Sequence, residues 1–130
     1  MPFNSLDALK QFLQKKESLE FSVLVGSRAN GKATSSSDWD IALQWRREGK
    51  SYMEYLACAE EMRQEIAKVL QVLPDKVDLI DVPSTKLAMR ELIANHGLIL
   101  SGGESLPWIH FLHRTWRELE EHYWEELYVA

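Results

Sequence analysis

Two aspartates separated by a single residue, Asp38 and Asp40, are the residues of this 130-residue chain whose type and spacing most directly suggest a catalytic or metal-binding role. They open an apolar run, and on a β-strand side chains two residues apart point to the same face, roughly 7 Å apart. Two carboxylates held side by side repel each other unless a cation joins them. Hard cations such as Mg²⁺ take oxygen ligands from one or two carboxylates together with substrate phosphates. The pair therefore predicts a site for one or two Mg²⁺ ions.

A Gly-Ser pair, Gly26 and Ser27, ends the apolar run that precedes the aspartates. Glycine lets the backbone approach a ligand closely, and a turn after a strand exposes N–H groups that can hold phosphate oxygens. Ser27 adds a hydroxyl, and Arg28 and Lys32 follow as counter-charges. A phosphate cradle beside a metal-binding pair predicts a nucleoside triphosphate site that includes Gly26, Ser27 and Arg28. The competing interpretation is an ordinary surface loop with a solvated acidic pair.

A third carboxylate would complete such a site. The later segment KVDLIDV, residues 76–82, offers Asp78 and Asp81. On a strand these two residues lie on opposite faces, so only one of them can join the site. The pattern does not choose between them.

The elements that must position these residues follow from the spacing of apolar side chains. Strands are predicted at 19–25, 38–45, 76–82 and, more briefly, 98–100; the first is apolar almost throughout, as in a strand covered on both faces. Helices are predicted at 5–17, 51–72, 85–95 and 105–127. The predicted caps are Asn4 or Ser5, a Ser51–Glu54 capping box, Ser84, and Gly97 at a helix end. The order predicts one α/β (α+β) domain over residues 1–130, a small mixed β-sheet with helices packed on it.

Composition excludes several classes of protein. The net charge of −5 does not suit a general binder of long nucleic acids, whose affinity comes from neutralising phosphates. The single cysteine, Cys58, excludes an internal disulfide. No apolar run is long enough for a membrane span, and the N-terminus lacks a signal-peptide pattern, so a cytoplasmic location is expected.

The last predicted helix is rich in aromatic residues. Its apolar positions at helical spacing are Trp108, Leu112, Trp116, Leu119, Tyr123 and Leu127, with Trp124 and Tyr128 besides. Such a stripe usually packs on the chain's own core, but aromatic side chains are also enriched at interface hot spots. The sequence leaves open which face of this helix would contact a partner.

The stretch GSRANGKATSSSDWDIAL carries a family resemblance. Gly26-Ser27, ten intervening residues and then Asp38-Trp39-Asp40 resemble the G-S-x10-D-x-D signature of the DNA polymerase β-like nucleotidyltransferase superfamily. More narrowly, the chain resembles minimal nucleotidyltransferases, the small partners of HEPN-type toxins in prokaryotic toxin–antitoxin pairs. The resemblance covers nearly the whole chain, including KVDLIDV and ANHGLILSG. In that family the third acid is the one in V-D-L, which maps onto Asp78.

This resemblance implies an antitoxin enzyme that neutralises its partner, a HEPN ribonuclease toxin, by transferring AMP from ATP to a tyrosine hydroxyl. It implies a two-metal, Mg²⁺-dependent mechanism with Asp38, Asp40 and Asp78 as catalytic residues and metal ligands. Because the chain ends soon after the predicted core, we expect the partner to help position the acceptor. Two alternatives remain: an antitoxin that acts by binding alone, and a nucleotidyltransferase that modifies a small-molecule hydroxyl.

Overall fold

A computed structural model describes residues 4–46 and 49–129 of the chain, and in these ranges four strands form one sheet on which four α-helices pack. The strands are β1 (Leu19–Val25), β2 (Trp39–Trp45), β3 (Val77–Asp81) and β4 (Leu98–Ser101). The helices are α1 (Ser5–Gln14), α2 (Tyr52–Leu70), α3 (Leu87–His96) and α4 (Leu106–Val129). None of these helices is both long and apolar enough to cross a lipid bilayer.

The sheet is mixed, in the order β3-β2-β1-β4. Strand β1 runs antiparallel to both β2 and β4, whereas β2 and β3 are parallel. Parallel neighbours need a long crossover, and α2 supplies it between β2 and β3. The predicted small mixed sheet with packed helices is confirmed, and β2 lies in its centre beside β3 and β1.

Helices cover both faces of the sheet. On one face α1 and α2 pack over a cluster that includes Leu13, Ile41, Ile66 and Val77. On the other face α3 and α4 pack over a second cluster: Phe21, Val23, Val25, Ala42, Val82, Ile93, Trp108 and Phe111. Strand β1 contributes to both clusters, which explains its nearly continuous apolar sequence.

The helix starts agree with the predicted caps at two places and differ at a third. The Asn4 side chain accepts a hydrogen bond from Asp7 N, and Ser51 and Glu54 form the capping box that the sequence predicts. Ser84 does not cap α3: it lies in a 3₁₀ turn, its hydroxyl donates to Asp81 Oδ2, and α3 begins later, at Leu87. The prediction for Ser84 was therefore wrong, since a neighbouring carboxylate accepts its hydrogen bond.

The C-terminal ends of three helices also differ from the sequence prediction. Helix α2 ends at Leu70 rather than 72, because Gln71 adopts a left-handed conformation with φ of 60°. Helix α1 ends at Gln14 rather than 17. Gly97 does follow α3, but in an extended conformation; a Cβ at this position would collide with Val23, so the glycine is needed for space.

The capping box gives a first testable prediction. Replacing Ser51 by alanine removes the acceptor for Glu54 N and should destabilise the protein by about 1 kcal/mol, lowering the melting midpoint by roughly 3–5 °C. Ser84→Ala is the matched control, because the Ser84 hydroxyl caps no helix. Thermal melts in which the two variants lose equal stability would contradict the capping role.

Candidate active site

Strand pairing brings Asp40 and Asp78 together. In the parallel pairing of β2 with β3, Asp40 is opposite Asp78, and the next pair on the same face is Ala42 with Ile80. Ala42 and Ile80 pack in the cluster beneath α3 and α4, so both aspartates also lie on that face of the sheet. Asp40 is partly buried, and Asp78 is exposed.

The register also places Asp81, the alternative third acid. Asp81 pairs with Leu43 at the opposite end of β3, and it shares its side of the strand with Val77 and Leu79, which face the cluster under α1 and α2. Its carboxylate accepts a hydrogen bond of 2.7 Å from the Ser84 hydroxyl. Of the two acids in KVDLIDV, only Asp78 lies beside Asp40.

Asp40 is the electrostatic centre of the group. Desolvation raises its pKa above the ordinary value of 3.8, and the negative charges of Asp78 and Asp38 raise it further. Asp78 stands opposite Asp40 in the strand pairing, and Asp38 precedes Asp40 by two residues. The folded protein thus holds three like charges at one end of the sheet, an arrangement that favours a bound cation.

Asp38 lies just before β2 and is the most open of the three. Its carboxylate is exposed, and Asp38 Oδ1 lies 4.0 Å from Lys76 Nζ. The same ammonium donates a 3.2 Å hydrogen bond to Ser36 O. Sequence analysis missed Lys76 as a residue of this site. The signal that could have found it is its position two residues before Asp78, since β3 aligned with β2 places Lys76 opposite Asp38.

The Gly26-Ser27 turn borders Asp40 directly. Val25, the last residue of β1, pairs with Asp40, and the chain then turns with Ala29 N and Asn30 N donating to Gly26 O. A Cβ at Gly26 would lie 2.5 Å from Asp40 Oδ2, and the φ of this residue is +80°. Both the close approach and the left-handed backbone require glycine here. Among residues 4–46 and 49–129, no group accepts a hydrogen bond from the N–H of Ser27 or of Arg28, and two such N–H groups in one turn suit an anion.

The Arg28 side chain contacts its own loop rather than the space beside the aspartates. Its Nε and Nη2 donate to Ser37 O at 3.2 and 2.9 Å, and Nη2 also donates to Thr34 O at 3.3 Å. The guanidinium stacks over the Trp39 ring, 4.3 Å from its centroid. Trp39 packs in the cluster under α1 and α2, on the face of the sheet away from Asp40. Arg28 therefore braces the loop that joins the Gly-Ser turn to Asp38, and its role as a nucleotide ligand stays a prediction.

The fold of the chain resembles the folds of several solved structures. A chain from a crystal structure described as a toxin–antitoxin with AMP-PNP is 21% identical, with a TM-score of 0.68 over 98% of this chain and 95% of that one. Another, from a tri-AMPylated Shewanella oneidensis HEPN toxin in complex with MNT antitoxin, is 19% identical, with a TM-score of 0.63 over 95% and 94% of the two chains. A third, from the toxin–antitoxin MntA–HepT, is 19% identical, with a TM-score of 0.60 over 96% and 92%. At these identities the likeness concerns the fold alone.

Sequence comparison identifies the family. No curated protein sequence matches the chain. The family model described as polymerase beta, nucleotidyltransferase matches residues 7–104, which is well over half of the chain. The matched region contains the Gly26-Ser27 turn and the three neighbouring aspartates, and the fold is that of the solved structures above. The chain therefore belongs to the polymerase β nucleotidyltransferase family.

Proposed function

We propose that this chain is the antitoxin of a toxin–antitoxin pair and that it transfers AMP from ATP to a tyrosine hydroxyl of a HEPN-type toxin. The observation that carries the proposal is the group of Asp38, Asp40 and Asp78 beside the Gly26-Ser27 turn, in a member of a nucleotidyltransferase family. The nucleotide and the acceptor are supported by similar folds, one described with AMP-PNP and one with a tri-AMPylated HEPN toxin.

The donor atoms of the site fit a divalent cation. Asp38, Asp40 and Asp78 offer only carboxylate oxygens, which suits Mg²⁺, and a cation would offset the repulsion that raises the pKa of Asp40. Within residues 4–46 and 49–129, no three His, Cys, Asp or Glu side chains already converge as ligands. The outermost of the three carboxylates, that of Asp38, lies 4.0 Å from Lys76 Nζ.

In the proposed site Asp38 and Asp40 would hold two Mg²⁺ ions, and Asp78 would hold one of them. When bound, the metal neutralises phosphate charge and favours attack at phosphorus.

The chain's own groups perform the remaining work. The Ser27 hydroxyl and the free N–H groups of the turn donate to oxygens of the β- and γ-phosphates, which fixes the direction in which pyrophosphate leaves. The acceptor oxygen forms a bond to the α-phosphorus while the bond from that phosphorus to the bridging oxygen breaks. Asp78, the more exposed of the two paired acids, takes the proton from the acceptor hydroxyl. Catalysis then rests on positioning and charge neutralisation.

The test combines the purified chain with Mg²⁺, labelled ATP and the HEPN-type protein encoded by the neighbouring gene. Intact-mass spectra of that protein should gain one or more AMP units, and the gain should be absent with the Asp38→Asn/Asp40→Asn double variant. Peptide mapping then identifies the modified side chain. A stable complex without any mass gain would instead favour neutralisation by binding alone. Mass gain on small hydroxyl compounds, with none on the protein, would favour a small-molecule acceptor.

Arg28 provides a prediction about how the loop is held. Both Arg28→Ala and Arg28→Lys should raise the KM for ATP by about tenfold, because lysine keeps the positive charge but cannot donate to Ser37 O and Thr34 O together. Steady-state kinetics at varied ATP concentrations would measure this change. Lys15→Ala is the control, since Lys15 is an exposed basic residue that follows α1, at the end of β1 away from the Gly-Ser turn. A lysine variant with the wild-type KM would assign Arg28 the simple counter-charge role that the sequence suggests.

A further inference from the structure

The second half of α4 extends beyond the body of the protein. Its first half is anchored by Trp108, Phe111 and Thr115, which are buried. It is also joined to α3 by a 2.9 Å hydrogen bond from Trp116 Nε1 to Asn95 Oδ1 and by an ion pair between Arg90 and Glu118. Every residue from 120 to 128 is exposed. At 1.5 Å per residue, this segment projects by roughly 13 Å.

Four large side chains form one side of this projecting segment, which we call the α4 face: Tyr123, Trp124, Leu127 and Tyr128. Leu127 follows Tyr123, and Tyr128 follows Trp124, by four residues, so all four side chains lie within one arc of the helix. The Trp124 and Tyr128 rings are stacked, with centroids 5.5 Å apart. Trp124 is 46% exposed and Tyr128 is 78% exposed. Contiguous exposed aromatic surface of this kind is typical of protein interfaces, where tryptophan and tyrosine dominate the binding energy.

The charge around the α4 face restricts what can cover it. Residues 117–128 contain five glutamates and a single arginine. Glu121, Glu125 and Glu126 lie on the flanks and back of the face by helical spacing. A complementary surface must therefore combine an apolar groove with lysine or arginine side chains along its rim.

We infer that the α4 face is the surface on which the partner toxin docks, through an apolar groove rimmed by basic side chains. This inference rests on the proposed function, because that function requires a protein partner. A second copy of this chain fits poorly: two α4 helices packed together would oppose two sets of glutamates. An anionic lipid surface would be repelled by the same flanks.

The proposed docking surface is distant from the aspartates of the candidate active site. Arg114 and Glu118 of α4 line a cavity together with Glu20 and Gln44, at the end of the sheet away from the aspartates. Along β2 alone, Gln44 is roughly 13 Å from Asp40 at strand spacing. The helix turn from which the α4 face projects thus lies at the opposite end of the sheet from the site. A toxin held there presents its acceptor segment to the aspartates at a raised effective concentration.

The test compares the wild-type chain with a Trp124→Ala/Tyr128→Ala variant, using the neighbouring gene's HEPN-type protein as the probe. Titration calorimetry should show the Kd for that protein rising by about 100-fold, because two central aromatic side chains are removed. The KM for the toxin should rise at least about tenfold, with kcat changed by less than about twofold. Circular dichroism should show α4 intact, since alanine favours the helix.

Two further variants sharpen the comparison. Tyr52→Ala/Met53→Ala is the matched control, because these residues are 75% and 72% exposed at the start of α2 and should not affect binding. Glu121→Lys/Glu125→Lys should weaken binding and reduce its dependence on salt, since the flanking charges are reversed.

Several outcomes would overturn the inference. Wild-type affinity in the α4 variant would do so, as would loss of binding only in the α2 control. A wild-type chain that is dimeric alone, and becomes monomeric in the α4 variant with toxin affinity unchanged, would assign the face to a second copy. In each case AMP transfer by the wild-type chain would still support the proposed function. A wild-type chain that neither binds nor modifies the toxin would instead contradict the proposed function itself.

Discussion

Replacing Asp40 by asparagine is expected to abolish nucleotidyl transfer and, in the same protein, to raise thermal stability. Asp40 carries charge in a partly desolvated place between two other carboxylates, which raises its pKa. Asparagine has nearly the same shape but removes a metal-binding charge, so transfer should fall by at least about 10³-fold. Measured in a metal-free buffer, the melting midpoint of the variant should exceed that of the wild-type chain at neutral pH, because the repulsion is gone.

The stability difference should depend on pH with a definite sign. Below pH 3.8, the ordinary pKa of an aspartate, Asp40 holds its proton in both the folded and the unfolded state, and the two proteins should be equally stable on this account. As pH rises above 3.8, the unfolded chain loses this proton first, while the folded protein retains it. Wild-type stability therefore falls relative to the variant until pH passes the raised folded-state pKa. At neutral pH the difference should be constant.

Asp81→Asn is the control, because it makes the same chemical change in β3 on the other face of the sheet. It should leave transfer within about twofold of the wild-type rate, since Asp81 lies away from the site and the amide oxygen can still accept from Ser84. Asp78→Asn should behave like Asp40→Asn in the transfer assay. If Asp81→Asn impaired transfer while Asp78→Asn did not, the third acid would have been assigned to the wrong residue.

The main features of the fold could be predicted because each strand carries a strong local pattern. The apolar run of β1 predicts a strand with both faces covered, and the two clusters on either side of the sheet confirm it. The Ser51–Glu54 box marks the start of α2 through side chains only three residues apart. Local signals of this kind are independent of the rest of the structure. Helix ends were less predictable. Helix α2, for example, ends where Gln71 adopts a left-handed conformation, and glutamine is not a residue type that favours that conformation.

The choice between Asp78 and Asp81 shows what a single sequence does not contain. Both faces of β3 are apolar, with Val77 and Leu79 facing one cluster and Ile80 facing the other, so the alternation within the strand gives no direction. The choice depends on the parallel register with β2, which is set by long-range packing. Family resemblance pointed to Asp78, and its placement opposite Asp40 gives a physical reason for that assignment.

Arg28 and α4 illustrate a related limit. A basic residue after a Gly-Ser turn fits a phosphate ligand by type, but its direction depends on Trp39 and the carbonyl groups of a loop that has no sequence pattern. The aromatic stripe of α4 fits both a core and an interface, and the structure divides it: Trp108 packs inside, whereas Trp124 is exposed. Helical spacing identifies a face, but it does not reveal where the neighbouring sheet ends.

Gly26→Ala is expected to impair the site through two separate effects. Alanine at a φ of +80° should destabilise the turn by about 1–2 kcal/mol, since side chains rarely adopt a left-handed backbone. The added methyl group would also lie 2.5 Å from Asp40 Oδ2, so the carboxylate must move away from the turn. Displacement of a catalytic group by about 1 Å can lower the rate about 100-fold. We therefore expect a loss of transfer of that size, measured at saturating ATP and toxin.

Gly31→Ala separates these two effects within the same loop. Gly31 also has a φ of +80°, but nothing lies within 4 Å of the place that its Cβ would occupy. This variant should lower the melting midpoint through the strained backbone alone, by no more than Gly26→Ala does, and it should retain most of the wild-type transfer rate. Equal loss of transfer in the two variants would mean that the conformation of the loop, rather than the contact with Asp40, limits catalysis. A near-normal rate in Gly26→Ala would mean that the turn need not lie against the carboxylate at all.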